Sequence, residues 1–187
     1  MLLVAAISAI SAGFIPTTAM DALAAFRQCG PNPCNGTAQD DQIFGTDGSN
    51  TISGLGGDDN IIARGGADTV SGGSGEDNIV GDSGNDQLSG GPDNDVMTGG
   101  SGNDIMNGGG GRDVMAGSGG GDTLRGSAGA DTLNGGNGDD ELFGGNGDDN
   151  LTGGDGADHF DCGDGDDTVE DFDATQGDTA EANCENV

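Results

Sequence analysis

Gly135-Gly136-Asn137-Gly138-Asp139-Asp140-Glu141-Leu142-Phe143 runs without a break into Gly144-Gly145-Asn146-Gly147-Asp148-Asp149-Asn150-Leu151-Thr152. This stretch decides the fold, because its nine-residue frame continues outward in both directions. Cutting every nine residues from Gly36 divides 36–170 into fifteen copies with no insertion or deletion. The sixth position reads Asp41, Asn50, Asp59, Asp68, Asp77, Asp86, Asp95, Asp104, Asp113, Asp122, Asp131, Asp140, Asp149, Asp158 and Asp167. The eighth is apolar throughout: Ile43, Ile52, Ile61, Val70, Ile79, Leu88, Met97, Met106, Met115, Leu124, Leu133, Leu142, Leu151, Phe160 and Val169. Gly holds 13 of 15 first positions and 13 of 15 fourth positions. Two columns kept in register over fifteen cycles mark a solenoid of stacked units, none of which buries a core alone.

Each column has a structural meaning. The first six positions, rich in Gly, Asn and Asp, read as a turn. The last three read as a very short strand whose middle residue points inward while its neighbours face water. One copy is half a coil, so two copies make a coil of 18 residues with strands on opposite walls. The expected fold is all-β: a parallel β-roll of two short-stranded sheets, with odd copies on one wall and even copies on the other. At about 4.8 Å per strand, seven and a half coils give a rod of roughly 35 Å.

The chain has 187 residues, with 34 Asp and Glu against 4 Lys and Arg, and a formal net charge of −30. Nucleic acid and anionic membrane surfaces repel such a chain. Like charge at a fixed interval calls instead for a neutralising cation. The core is thin, 39 of the 42 glycines lie in the repeats and must be ordered, and the sixth-column carboxylates stack along both edges and repel. Turn carbonyls and one carboxylate per turn form an all-oxygen cage between copies n and n+2, which suits Ca²⁺ better than Zn²⁺ or Mg²⁺. The fourteen sixth-column aspartates are therefore the candidate metal ligands, and Asn50 is a weakened one. The competing reading is that they only cap turns by bonding to backbone.

Gly135 to Phe143, Gly144 to Thr152 and Gly99 to Asn107 resemble the G-G-x-G-x-D-x-U-x nonapeptide of the RTX, or haemolysin-type, calcium-binding proteins. The resemblance spans 36–170 and implies a parallel β-roll whose turns bind several Ca²⁺ ions through carbonyls and the sixth-position Asp. Gln39 and Asp93 depart from the fourth-position Gly, and Ala63 and Cys162 from the first. The segment from Cys162-Gly163-Asp164 to Asn183-Cys184-Glu185-Asn186-Val187 is similar to the ending of small exported RTX-like bacterial proteins, which implies that its two cysteines pair and close the last coil.

Outside the repeats, Leu2 to Ile15 is an apolar run followed by the small-x-small site Ala22-Leu23-Ala24. It reads as a secretory signal peptide of 1–24, too short for a comfortable membrane span, although the first basic residue is Arg27. A buried apolar helix is the alternative. Residues 25–35 and 171–187 are then N- and C-terminal caps. Four cysteines in a presumed exported chain suggest disulfides. A rod of roughly 35 Å separates the two pairs beyond the about 7 Å between Cα atoms that a bridge tolerates, so Cys29 pairs with Cys34 and Cys162 with Cys184. A half zinc site at Cys29 and Cys34 is the weaker reading, for want of a nearby His.

No catalytic constellation stands out. The lone His159 occupies a seventh position and should face solvent, and no Gly-x-Ser-x-Gly lies in a strand-to-helix context. The expected function is a secreted, non-catalytic, calcium-binding structural or binding module. The alternatives are the C-terminal module of a larger secreted protease, lipase or toxin, or an adhesin-like glycan- or ice-binding roll. Phe44, Ile62, Val80, Val96 and Val114 place an apolar outward row on the odd wall, part of which residues 25–35 are expected to cover.

Overall fold

A computed structural model describes residues 26–30 and 33–187; the signal peptide expected at 1–24 lies outside the described residues. Among these there are eighteen strands, from β1 (Arg27–Gln28), β2 (Cys34–Asn35) and β3 (Gln42–Phe44) through β9 (Val96–Ser101) to β16 (His159–Asp164), β17 (Thr168–Val169) and β18 (Thr179–Ala180). Odd-numbered strands form one nine-stranded sheet and even-numbered strands the other, each in sequence order. Neighbours are parallel and, within the repeats, 18 residues apart: Val96 pairs with Val114 and Met97 with Met115 on one wall, Met106 with Leu124 on the other. The chain is thus a β-roll of about eight turns, with the eighth column as its core, from fully buried Ile43 to Val169 at 6% exposure. Among the described residues no helix is long and apolar enough to cross a membrane.

The strands are longer than the repeat suggests. β9 has six residues rather than three, running from position seven to position three of the next copy, so only positions four to six turn. Its burial alternates, and the first position, Gly99, is a second inward site. The strand can continue there because Gly has no side chain. A Cβ added at Gly81 would lie 2.5 Å from Asp86 Oδ2 and 2.6 Å from the Gly99 carbonyl oxygen. The returning turn places its carboxylate where a side chain would otherwise stand.

In most copies positions two and four adopt the left-handed region that glycine enters freely, as at Gly100 (φ 120°) and Gly102 (φ 124°). Leu55, Arg64, Asp82, Ser118 and Ser127 adopt φ of 79–86° at position two without that freedom.

Both ends of the roll are closed by main-chain pairing. Arg27 pairs with Ile43 and Cys34 with Ile52, so residues before the repeat add a strand to each sheet. Phe26 lies against Phe44 with ring centroids 5.2 Å apart. At the other end Ala180 pairs with Phe160, and Phe172 packs 6.4 Å from the Phe160 ring. Cys29 is bonded to Cys34 and Cys162 to Cys184, with Cα atoms 5.4 and 5.1 Å apart. Cys29 and Cys162 are buried members of the core cluster, so each bridge seals one end of the apolar column. On the outer odd wall Val96 and Val114 are neighbours and about half exposed, whereas Phe44, Ile62 and Val80 are half-buried.

Candidate calcium-binding turns

From Asp59 onward, each sixth-position carboxylate is turned inward and backward, towards the preceding coil. Its Oδ1 accepts a hydrogen bond from the backbone N–H of the sixth residue one coil earlier: Asp59 from Asp41 at 2.7 Å, Asp104 from Asp86 at 2.8 Å, Asp122 from Asp104 at 2.8 Å, Asp167 from Asp149 at 2.8 Å. The series continues through Asp68, Asp77, Asp86, Asp95, Asp113, Asp131, Asp140, Asp149 and Asp158. Every sixth-position Asp is at most 3% exposed. They are therefore not charges lining two solvated edges. They are spacers that fix one coil on the next.

The other oxygen has no such partner. In all thirteen copies from Asp59 to Asp167, Oδ2 is buried without a hydrogen bond. The Gly81 geometry shows what it faces: Asp86 Oδ2 and the Gly99 carbonyl oxygen of the next coil flank one point. The same arrangement recurs at Gly117, with Asp122 Oδ2 and the Gly135 carbonyl, and at Gly126, with Asp131 Oδ2 and the Gly144 carbonyl. Two acceptors face each other with no donor between them. A buried unpaired acceptor costs about 1–3 kcal/mol, more when charged, and a proton or a cation between the two oxygens would relieve that cost.

Burial, reinforced at many sites by neighbouring carboxylates, raises these acids despite the backbone bond that each accepts. Asp59, Asp68, Asp104, Asp113 and Asp149 are pushed up to about 6, and Asp95 and Asp140 to about 7. Asp77, Asp86, Asp122, Asp131, Asp158 and Asp167 are raised by the same leading cause.

Turn carbonyls supply more oxygen. A Cβ on Gly84 would lie 2.6 Å from the Gly66 carbonyl carbon, and one on Gly102 2.6 Å from that of Gly84. The fourth-position carbonyl of one coil thus faces the fourth residue of the next. Among the described residues no group of three or more His, Cys, Asp or Glu side chains converges to hold a metal. A cation here must draw on carboxylate and main-chain oxygens together, a hard donor set that fits Ca²⁺ and not Zn²⁺.

Asp41 and Asn50 differ from the other thirteen. Asp41 Oδ2 accepts from the Thr37 N–H at 2.6 Å, while its Oδ1 lies 3.7 Å from Arg27 Nε. Asn50 Oδ1 accepts from the Thr46 N–H at 2.7 Å. Other contributors lie outside the sixth column. Asp178 accepts from the Asp158 N–H at 3.0 Å, and Glu185 from the Asp167 N–H at 3.4 Å, continuing the backward ladder past the last full copy. Position five carries a second ladder that runs forward. Asp58 donates its N–H to Asp40, Glu76 to Asp58, Arg112 to Asn94 and Ala157 to Asp139. The recurrence of Asp and Asn at that position was its signal. His159 is part-exposed, with Nδ1 3.0 Å from Thr179 Oγ1 and Nε2 3.9 Å from Glu181 Oε1. The last distance exceeds a hydrogen bond, and the group is solvated rather than enclosed.

Glycine-floored turns, a backward carboxylate ladder and unpaired inward oxygens define a calcium-binding β-roll. A family model described as the RTX calcium-binding nonapeptide repeat (four copies) matches residues 35–70, 53–88, 71–106, 80–115, 107–142, 116–151 and 135–169. The chain belongs to this family of RTX calcium-binding repeat proteins. No individually curated protein matches it. The repeats imply Ca²⁺ binding by a structural module. RTX repeats are typical of secreted proteins, and two disulfides fit an extracellular setting.

Proposed function

We propose that this chain is an exported, non-catalytic module whose roll folds when Ca²⁺ occupies its turns, with residues 1–24 as the export signal and 25–35 and 171–187 as caps. The carboxylates of Asp59, Asp68, Asp77, Asp86, Asp95, Asp104, Asp113, Asp122, Asp131, Asp140, Asp149, Asp158 and Asp167 would hold the ions together with turn carbonyls. The observation that carries this reading is the column of thirteen buried, unpartnered Oδ2 atoms. Bound Ca²⁺ supplies the positive charge between facing oxygens that the protein itself lacks. Without it, ionised acids with pKa values raised to about 6 or 7 oppose folding at neutral pH.

The test is a Ca²⁺ titration of decalcified protein followed by far-ultraviolet circular dichroism, with bound ions counted by equilibrium dialysis. β signal should rise cooperatively up to millimolar Ca²⁺, as expected of nearest-neighbour coupling in a solenoid, while Mg²⁺ should do much less. Full β structure in chelator at neutral pH overturns the proposal.

A further inference from the structure

The first two turns are built differently from the thirteen that follow. Among the fifteen copies only copies one and two carry Thr at position two, Thr37 and Thr46. In copy one, the Thr37 N–H and hydroxyl both donate to Asp41 Oδ2, at 2.6 and 2.8 Å, and the same hydroxyl lies 3.4 Å from the Gln39 carbonyl oxygen. In copy two, the Thr46 N–H donates to Asn50 Oδ1 at 2.7 Å, Asn50 Nδ2 donates to Thr46 Oγ1 at 3.0 Å, and the Thr46 hydroxyl donates to the Gly48 carbonyl at 3.1 Å. The side-chain oxygen that stays unpaired from Asp59 onward is therefore satisfied in both turns, and in copy two the fourth-position carbonyl of Gly48 is satisfied as well.

The backbone agrees. Positions two and four are left-handed at Gly73 and Gly75 or Gly100 and Gly102, but none of Thr37, Gln39, Thr46 and Gly48 has positive φ. The charge balance agrees as well. Asn50 is neutral, and Asp41 has Arg27 beside its remaining oxygen. The Cys29–Cys34 bridge ties down the strands that flank this coil.

We infer that the first coil takes no calcium: Thr37 and Thr46 fill by hydrogen bonding the role that the ion takes from copy three onward, so residues 33–53, with β1 beside them, form a metal-independent end on which the calcium-bound coils stack. Its outward-facing N–H groups at Asp41 and Asn50 already await the Oδ1 atoms of Asp59 and Asp68. Such an end would set the register of the first metal-bound coil before any ion arrives.

The inference rests on the calcium reading, and the experiment separates the two. Bound Ca²⁺ is counted by equilibrium dialysis for wild type, Asp41→Asn and Asp104→Asn. Asp41→Asn reproduces the arrangement that Asn50 and Thr46 already make, so it should fold and leave the count and the titration midpoint within twofold of wild type, whereas Asp104→Asn should lower the count. If both variants lose ions equally, the first coil binds calcium and the inference fails while the calcium reading stands. If wild type binds none, the calcium reading fails first. A second readout then still decides, namely amide hydrogen exchange in chelator with disulfides intact. Amides of residues 37–53 should exchange at least tenfold more slowly than those of residues 100–116, and Thr37→Val with Thr46→Val should remove the difference. Equal exchange in the two segments of the wild type overturns the inference.

Discussion

Asp104→Asn should change the stability of the roll in opposite directions with and without calcium. Asp104 Oδ1 accepts from the Asp86 N–H at 2.8 Å, and asparagine keeps that acceptor. Oδ2 is unpartnered, and the Gly117 carbonyl oxygen lies across the same point, 3.0 Å from a Cβ built on Gly99. An amide there replaces a facing pair of acceptors with a donor and an acceptor. In chelator near pH 7.5 the substitution removes a carboxylate whose pKa burial has pushed up to about 6. Discounted for solvent screening at the edge of the roll, relief of that charge is worth about 1 kcal/mol, and the new hydrogen bond contributes about 1 kcal/mol more. At roughly 2–4 °C per kcal/mol for a domain of this size, thermal unfolding in chelator with trimethylamine N-oxide as stabilising co-solvent should shift upward by about 4–8 °C. In millimolar Ca²⁺ the loss of a charged ligand should weaken the local site by roughly tenfold, or ~1.4 kcal/mol, and the midpoint should fall. Asp104→Ala serves as the control: it removes the same charge but strands the buried Asp86 N–H at a cost of about 1–3 kcal/mol, so it should be less stable than Asp104→Asn in either condition. If Asp104→Asn destabilises the protein in chelator, the facing-oxygen argument is wrong. If it leaves calcium binding untouched, Asp104 is not a ligand.

Three further outcomes follow from the same geometry. Acids raised in the fold favour its protonated form, so in chelator their stabilising contribution is present below the ordinary carboxylate value of 3.8 and is lost as pH rises through about 6–7. Circular dichroism of decalcified protein should show more β structure near pH 4.5 than at pH 7.5, with Ca²⁺ restoring it at the higher pH; a chelated signal that grows with pH contradicts this. Leu55→Gly should stabilise the calcium-loaded roll by about 1 kcal/mol in chemical denaturation, since Leu55 sits at φ 82° with its side chain half exposed; a loss of stability would mean that Leu55 makes contacts worth more than its strain. Selective loss of the Cys162–Cys184 bridge by paired substitution to Ser should cost about 3 kcal/mol from a sequence separation of 22 residues, read as a lower unfolding midpoint with fraying confined by hydrogen exchange to β16, β17 and β18.

The sequence exposes the coil because period and polarity coincide there. Eighteen-residue register, two walls and an inward eighth column need only a fixed repeat and an apolar residue that cannot face water, and Ile43 to Val169 are all buried. Strand length was not legible in the same way. A glycine at position one reads locally as turn, and only the neighbouring Asp carboxylate, folded over Gly81 or Gly126, shows that the glycine is an inward strand residue with its side-chain space already taken. The two readings of the sixth column also looked exclusive in sequence, a turn cap or a ligand. In the structure the two oxygens of one carboxylate differ: Oδ1 bonds backbone of the preceding coil and Oδ2 has no partner, a division that no count of residue types could reveal and that leaves Oδ2 free for the proposed ligand role. Thr37 and Thr46 carry no signal in the sequence alone; their position-two placement acquires meaning only beside Asp41 and Asn50.

On the proposed calcium reading, that difference between the two oxygens would link binding to folding. Oδ1 of Asp122 holds Asp104 N–H of the preceding coil, while Oδ2 of the same residue faces the Gly135 carbonyl of the following coil. One side chain therefore spans three coils, and fixing its Oδ2 also fixes the angle at which Oδ1 meets its partner. An ion bound between two coils, as proposed, would bias the geometry presented to the next ion along the rod. In a solenoid whose units contact only their neighbours, such coupling makes the titration steeper than independent sites would give. Asn50 and Asp41 sit where this chain of carboxylates begins, and Asp178 and Glu185 where it ends. Cooperativity should therefore fall most when a middle carboxylate such as Asp104 or Asp122 is removed, and least when the substitution is made at Asp167, whose Oδ1 bond to the Asp149 N–H secures the last full copy.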